Sequence, residues 1–170
     1  MVSSTLATPV LFASVAQADT QLILRNNSSE PIDVAVMYNR YLKLRGFSFA
    51  PNSPHLIGFE RIPPYQSKVI INESSQGQCL ERSINNVWLS VYQVNSNQEW
   101  GGNSGRGNKF TLQSNAIAAG FIQTPVGGMN RNQISPSVVS ELQSGTSLLF
   151  ARTPFSVNGC NAVMEFTFPW

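Results

Sequence analysis

Apolar residues recur at every second position through much of the chain, in short runs that end at Asn, Ser, Gly or Pro. Side chains of a β-strand point alternately to its two faces, so this alternation predicts strands with one buried face. The segments that carry it are LILRN, IDVAVMY, SKVIIN, VWLSVYQV, KFTLQ, AIAAGFIQT, SLLFAR and AVMEFTF. Such short strands separated by turn residues predict an all-β fold, and we expect a single antiparallel β-sandwich or flattened barrel over residues 19–170.

One segment departs from the alternation and predicts a short helix. ISPSVVSELQSG offers Ser135 and Ser137 as N-terminal caps, Pro136 in the first turn and Gly145 as the stop. We therefore expect one helix of about two turns that covers one end of the sheets.

Three stretches predict connections rather than regular elements. Residues 46–65 and 124–133 are irregular and long enough to be functional loops. Residues 98–107, QEWGGNSGRG, lie between VWLSVYQV and KFTLQ, and their glycines favour a hairpin-type connection between those two strands. Trp100 lies at the corner of this connection, where it either closes the core or stacks on a ligand.

The amino-terminal segment has the features of a secretory signal. Residues 1–18 carry no charge and include the apolar run LATPVLFASVA. Ala16-Gln17-Ala18 has the small-x-small pattern that signal peptidases accept, so we expect residues 1–18 to be cleaved and the mature chain to begin at Asp19. The protein is accordingly expected to be secreted or periplasmic.

The overall composition agrees with that location. Hydrophobic residues make up 42% of the chain and charged residues 12%, about half the usual charged fraction of about 25%. The net charge of +2 is too small to favour a nucleic-acid partner. The two cysteines, Cys79 and Cys160, form no C-x-x-C pair, and in an oxidising compartment we expect them to form one disulfide.

The inventory of reactive side chains does not favour an enzyme. His55 is the single histidine, whereas hydrolases of the Ser-His-Asp type need a histidine held beside a nucleophile. The nine carboxylates are scattered singly, with no metal-binding spacing, so we expect no metal and no cofactor. A small hydrolase built on two of these carboxylates is kept as a third hypothesis.

Aromatic and amide residues in turn-rich sequence are the better candidates for function. Aromatic rings can stack on the apolar face of a sugar, while amide groups bond its hydroxyls. The ligand-binding candidates are Trp100, Asn103, Arg106, Phe47, Phe49 and Tyr65. They favour a non-enzymatic surface or periplasmic binding module for a glycan or a protein, although the same aromatic residues can also close the end of a β-sandwich core.

The carboxyl terminus supports a second hypothesis. Met164, Phe166, Phe168 and Trp170 form a period-two apolar stripe that ends on an aromatic residue, as in the last strand of outer-membrane barrels. Pro169 weakens that match because proline cannot donate to a strand ladder. A membrane-active or outer-membrane-associated protein is therefore the alternative, and a soluble sandwich whose last strand packs inward is favoured.

Three consecutive stretches resemble a bacterial family of small secreted β proteins of unknown function. The stretches are LILRNNSSEPIDVAVMY, GFERIPPYQSKVI and VWLSVYQVNSNQEWGGN, within about residues 22–103. Gly58-Phe59 stands where that family tends to have Gly-Trp, and Pro64-Tyr65 stands where it has Pro-Gly. Arg25 and Ser67 occupy the approximate places of family cysteines, so the family's disulfide pattern does not carry over. The resemblance implies secretion and a β fold.

Overall fold

Strands dominate the part of the chain that a computed structural model describes, which comprises residues 18–44, 47–75, 81–100, 109–115, 120–125, 127–153, 156–157 and 163–168. The elements in chain order are β1 (Ala18–Asn26), β2 (Ile32–Leu44), β3 (Phe47–Ile62), β4 (Ser67–Ser75), β5 (Glu81–Gln93), β6 (Lys109–Leu112), β7 (Phe121–Thr124), β8 (Gly127–Asn130), a 3-10 helix (Arg131–Gln133), α1 (Pro136–Gln143), β9 (Leu148–Arg152), β10 (Ser156–Val157) and β11 (Val163–Phe168). The all-β fold with one short helix is thus confirmed for these residues.

The described strands form three sheets. A six-stranded sheet has the order β3-β2-β5-β9-β6, with β10 paired to β5, and a three-stranded sheet has the order β11-β1-β4. Strands β7 and β8 form a separate antiparallel pair. The ladders are antiparallel except the one between β1 and β11, the first and last strands described, which run parallel.

The main core lies between the three-stranded sheet and one face of the six-stranded sheet. Leu22 and Leu24 of β1 and Phe168 of β11 are fully buried there. They pack in one cluster with Val34 of β2 and Leu89 of β5. This packing agrees with the all-β fold that the alternating sequence predicted, except that the β1–β11 ladder is parallel and not antiparallel.

A second core covers the opposite face of the six-stranded sheet. Met37 of β2 and Phe150 of β9 are buried there together with Met129 of β8 and Leu142 of α1. The central sheet is therefore buried on both faces. This explains why the middle of β2 reads VAVM without polar residues, since successive side chains enter opposite cores.

The predicted helix forms at the expected place. Ser135 is its N-cap residue, Pro136 occupies the first helical position, and Gly145 follows the helix with a φ of 94°. Val138, Val139 and Leu142 are its buried residues. The helix covers a face of the six-stranded sheet, together with β7 and β8, and not one end of the sheets as predicted.

Residues 46–65, predicted to form a loop, contain the whole of β3, and that prediction is wrong. β3 pairs with β2 in register, for example Met37 with Leu56 and Leu44 with Phe47. It is an edge strand of its sheet. Pro51 and Pro54 are tolerated there because an edge strand has one side without a ladder partner.

Residues 124–133 are also more regular than expected. They include β8 and the 3-10 helix. Glycines occupy the first two positions of β8, and the Phe121 ring on β7 lies where a side chain of Gly128 would be. The aromatic ring covers the glycine across the ladder, so this pair forms despite its weak strand sequence.

The predicted hairpin between β5 and KFTLQ is wrong as well, because β9 lies between β5 and β6 in the sheet. The chain reverses earlier, before the glycines. Asn97 has a φ of 54°, and the returning backbone pairs with β5 through Gln93 N to Gln98 O at 2.9 Å and Trp100 N to Val91 O at 2.9 Å.

Candidate functional site

A surface cleft of about 630 Å³ lies where the 3-10 helix meets α1. Its volume is within the range of small-ligand sites, about 300–1,000 Å³. Both the 3-10 turn and the first two turns of the helix contribute side chains. The lining residues are Arg131, Asn132, Ile134, Pro136, Val139, Ser140 and Gln143.

The 3-10 turn is fixed to the edge of the six-stranded sheet. The Gln133 Nε2 group donates to the Pro54 carbonyl of β3 at 2.8 Å, and the Gln133 Oε1 atom accepts from the Asn130 backbone N–H at 2.7 Å. Ile134 forms a parallel bridge with Leu56 of β3. These contacts fix the backbone that carries Arg131 and Asn132.

The helix is anchored to the same strand. The Ser135 backbone N–H donates to the Leu56 carbonyl at 2.9 Å. The Ser135 and Ser137 hydroxyls both donate to the Gly58 carbonyl. The predicted cap residues therefore bond to the neighbouring strand, and this orients the face of α1 that carries Ser140 and Gln143.

The cleft combines an apolar floor with polar walls. Ile134 and Val139 are buried, whereas the polar lining residues are exposed. The side chains of Arg131, Asn132 and Gln143 make no hydrogen bond or ion pair to any residue within the described ranges. Their donors and acceptors are available to a ligand that lies over the apolar floor.

A second polar cluster crosses three adjacent strands of the six-stranded sheet. Asp33 of β2 is buried and accepts two hydrogen bonds of 2.8 Å from the Arg61 guanidinium of β3. The Tyr92 hydroxyl of β5 donates to the same carboxylate at 3.3 Å. In each pair the residues face each other in the ladder register. The charge of Asp33 is compensated within the cluster, and its contacts link β2 to β3 and β5.

The electrostatics of this cluster follow from its geometry. The hydrogen bond and charge of Asp33 raise the pKa of Arg61 above its ordinary value. Burial, followed by the charge of Asp33, raises the pKa of Tyr92 to about 12. The Phe59 ring contacts the Tyr92 ring edge-on at a centroid distance of 5.5 Å. The phenol is therefore protonated at neutral pH.

Trp100 belongs to the main core. Its side chain is 6% exposed, and its ring meets the Phe168 ring edge-on at a centroid distance of 5.6 Å. The sequence left open whether Trp100 closes the core or stacks on a ligand, and this burial favours core closure. Trp88, in the middle of β5, is likewise buried, in the second core.

The other predicted ligand-binding residues are dispersed or lie outside the described residues. Tyr65 is 67% exposed on the turn between β3 and β4. Phe47 and Phe49 lie on β3, paired with Leu44 and Leu42 of β2. Tyr65 is not among the residues that line the cleft.

Four further residues named from the sequence lie outside the described residues. Two of them, Asn103 and Arg106, were candidates for ligand binding, and the other two, Cys79 and Cys160, were expected to form a disulfide. The cleft residues were not named from the sequence, although Arg131 and Asn132 fall within stretch 124–133, which was predicted to be a functional loop.

His55 and Glu60 make contacts with neighbouring side chains of the sheets. His55 lies on β3, half-buried, and its ring stacks on that of Tyr38 at a centroid distance of 5.7 Å. Glu60 forms an ion pair of 2.6 Å with Lys68. Within the described ranges no three His, Cys, Asp or Glu residues gather as metal ligands, and no helix there is long and apolar enough to cross a bilayer.

Comparison with known proteins gives no relative of this chain. No protein-family model, curated protein or solved structure matches it. Functional inference therefore depends on the geometry of the cleft and on the sequence features described above.

Proposed function

We propose that this protein is a non-catalytic, extracytoplasmic binding module that takes an oligosaccharide in the cleft beside α1. The single observation that carries the proposal is the set of unpaired polar side chains, Arg131, Asn132 and Gln143, around an apolar floor. Sugar rings present hydroxyl groups at their rim and C–H groups on their faces. Amide and guanidinium groups bond hydroxyls, and aliphatic residues such as Ile134 and Val139 contact the C–H face.

A glycan array with the purified protein tests this proposal. We expect a subset of oligosaccharides to bind, and Asn132→Ala and Gln143→Ala each to weaken that binding about threefold to tenfold, the range for one neutral hydrogen bond. Gln123→Ala is the matched control, because Gln123 is an exposed amide on β7 outside the cleft. Loss of binding in the control, or no bound oligosaccharide at all, would contradict the proposal.

The extracytoplasmic location is a separate part of the proposal. It is supported by the uncharged segment 1–18 with its Ala16-Gln17-Ala18 ending and by the low content of charged residues. We expect the protein expressed in a bacterium with its own amino terminus to be recovered from the periplasm, with Asp19 as its first residue by mass spectrometry. An uncleaved chain in the cytoplasmic fraction would contradict this expectation.

A disulfide between Cys79 and Cys160 belongs to the same proposal. This disulfide would close a loop of about 80 residues and so stabilise the fold by about 4 kcal/mol in the chain-entropy model. Alkylation of the secreted protein should modify neither cysteine before reduction and both cysteines afterwards. Modification of either thiol without reduction would exclude the disulfide.

A further inference from the structure

The cleft carries a charge that the proposed sugar contacts do not require. Of its lining residues only Arg131 is ionised, and no carboxylate lies among them. Arg61, by contrast, donates two hydrogen bonds from its guanidinium to the Asp33 carboxylate. The Arg131 guanidinium forms no such ion pair within the described part of the chain.

We propose that the cleft recognises an acidic oligosaccharide, with Arg131 binding the carboxylate of a uronic acid. This inference rests on the proposed function and names its ligand class. A guanidinium is planar and can donate two parallel hydrogen bonds to one carboxylate. The carboxylate of a uronic acid is carried on the sugar ring, so it can reach Arg131 while the ring lies over the apolar floor.

The neighbouring side chains fit the rest of such a ligand. Asn132 is adjacent to Arg131, and its amide offers both a donor and an acceptor. On α1, the Ser140 hydroxyl and the Gln143 amide can likewise donate to and accept from the hydroxyls of a sugar. Ile134 and Pro136 provide an aliphatic surface for a sugar face. A purely anionic peptide would not use that aliphatic surface, and a fatty acid would need an enclosed cavity. The combination therefore favours an acidic sugar.

Calorimetric titration of the purified protein with trigalacturonic acid and with neutral trigalactose tests the inference. We expect trigalacturonic acid to bind at least about tenfold more tightly than trigalactose, as one charge-assisted hydrogen-bond pair implies. Arg131→Gln should abolish that difference in affinity, because it should weaken the binding of trigalacturonic acid and leave the binding of trigalactose unchanged. Arg25→Gln is the matched control, because Arg25 is exposed on β1, in the sheet on the other side of the central sheet.

The possible outcomes separate the inference from the proposed function. Equal binding of both trimers, unaffected by Arg131→Gln, would overturn the inference and leave a neutral-glycan module. Tighter binding of hexaglutamate than of trigalacturonic acid would overturn the sugar class. If neither trimer binds and the glycan array is also blank, the proposed function itself fails. If Arg25→Gln weakens the binding of trigalacturonic acid as much as Arg131→Gln does, the net charge of the protein, rather than the cleft, attracts the ligand.

Discussion

At the scale of single residues, Trp88 carries a buried donor that no described residue accepts. It is 7% exposed, and its indole Nε1–H lacks a hydrogen-bond partner in the described part of the chain. An unsatisfied buried donor costs about 1–3 kcal/mol. Trp88→Phe removes this cost and loses some packing, so we expect the free energy of unfolding to change by less than about 1 kcal/mol.

Urea unfolding of both proteins measures this change, and a core truncation that removes no donor provides the control. Phe150→Leu also lies in the second core and is expected to cost more than Trp88→Phe, because nothing offsets the lost packing. If Trp88→Phe costs more than Phe150→Leu, the indole N–H is satisfied in the folded protein.

Tyr92 should make stability depend on alkaline pH. Its pKa is raised in the folded state to about 12 from 10.0, so the folded protein holds its proton more tightly than the unfolded chain. The resulting stabilisation is complete below pH 10 and is lost as the pH rises towards 12. Because Tyr92 is partly exposed, we expect an effect on the order of 1 kcal/mol.

Urea unfolding at a series of pH values from neutral to alkaline checks this prediction. Wild type should lose more stability above pH 10 than Tyr92→Phe, which keeps the ring contact with Phe59 but has no proton to lose. Tyr65→Phe, which removes an exposed phenol on the β3–β4 turn, should behave as wild type. Parallel pH profiles for wild type and Tyr92→Phe would contradict the assignment.

At the scale of elements, Gly58 of β3 packs against β2 and accepts hydrogen bonds from the start of α1. Its φ is 126°, and a Cβ atom there would lie 2.6 Å from the Val34 carbonyl oxygen and 2.7 Å from the Ala35 Cα of β2. Its own carbonyl accepts the hydroxyls of Ser135 and Ser137. Gly58→Ala should therefore destabilise the protein by about 3 kcal/mol or more and disturb the cleft.

The control for this substitution separates the clash from the backbone angle. Gly145 also has a positive φ, 94°, but no atom of the described residues lies within 4 Å of its added Cβ. Gly145→Ala should cost about 1–2 kcal/mol through backbone strain alone. Thermal unfolding measures the stability of both variants, and equal losses of stability for Gly58→Ala and Gly145→Ala would contradict close packing of Gly58 against β2.

The elements that could be predicted from the sequence are those with regular apolar spacing. β2 and β5 alternate clearly, and α1 has both its cap and its stop. β3 could not be recognised, because Pro51, Pro54 and Gly58 interrupt its pattern. The two prolines are compatible with a strand because β3 lies at an edge, and Gly58 is required by its close approach to β2; both are facts of tertiary structure.

The cleft was beyond sequence reasoning for a similar reason. Its polar residues come from a 3-10 turn and from the exposed face of α1, and only the anchoring of both elements on β3 brings them around one volume. Trp100 was a predicted ligand-binding residue because aromatic rings can stack on sugars, yet its ring packs against Phe168 in the core. Composition identifies side chains that can bind, whereas packing decides which ones are available.

At the scale of the whole molecule, the three-stranded sheet joins both ends of the described chain. Among the described strands β11 pairs with β1 alone, in parallel, and the register places Phe168 beside Asn26. The Asn26 side chain in turn donates to the carbonyls of Ile62 at 3.2 Å and Pro63 at 3.1 Å, at the end of β3. The last described strand is therefore joined, through β1, to the end of β3 in the other sheet.

Phe168 is the side chain of β11 that should contribute most to the stability of the main core. It is 0% exposed, packs in the main core with Leu22 and Leu24, and meets Trp100 edge-on. Phe168→Ala should lower the free energy of unfolding by about 3–5 kcal/mol, since a buried phenyl ring is lost and the space is only partly refilled. Native tryptophan fluorescence should shift as well, because Trp100 loses its ring contact.

Thr167→Ala is the control for this substitution because it alters the same strand at an exposed position. It should change stability by no more than about 0.5 kcal/mol and leave the fluorescence unchanged. Urea unfolding followed by fluorescence and by far-ultraviolet circular dichroism measures both variants. If Phe168→Ala unfolds at the same urea concentration as Thr167→Ala, the Phe168 ring does not stabilise the main core.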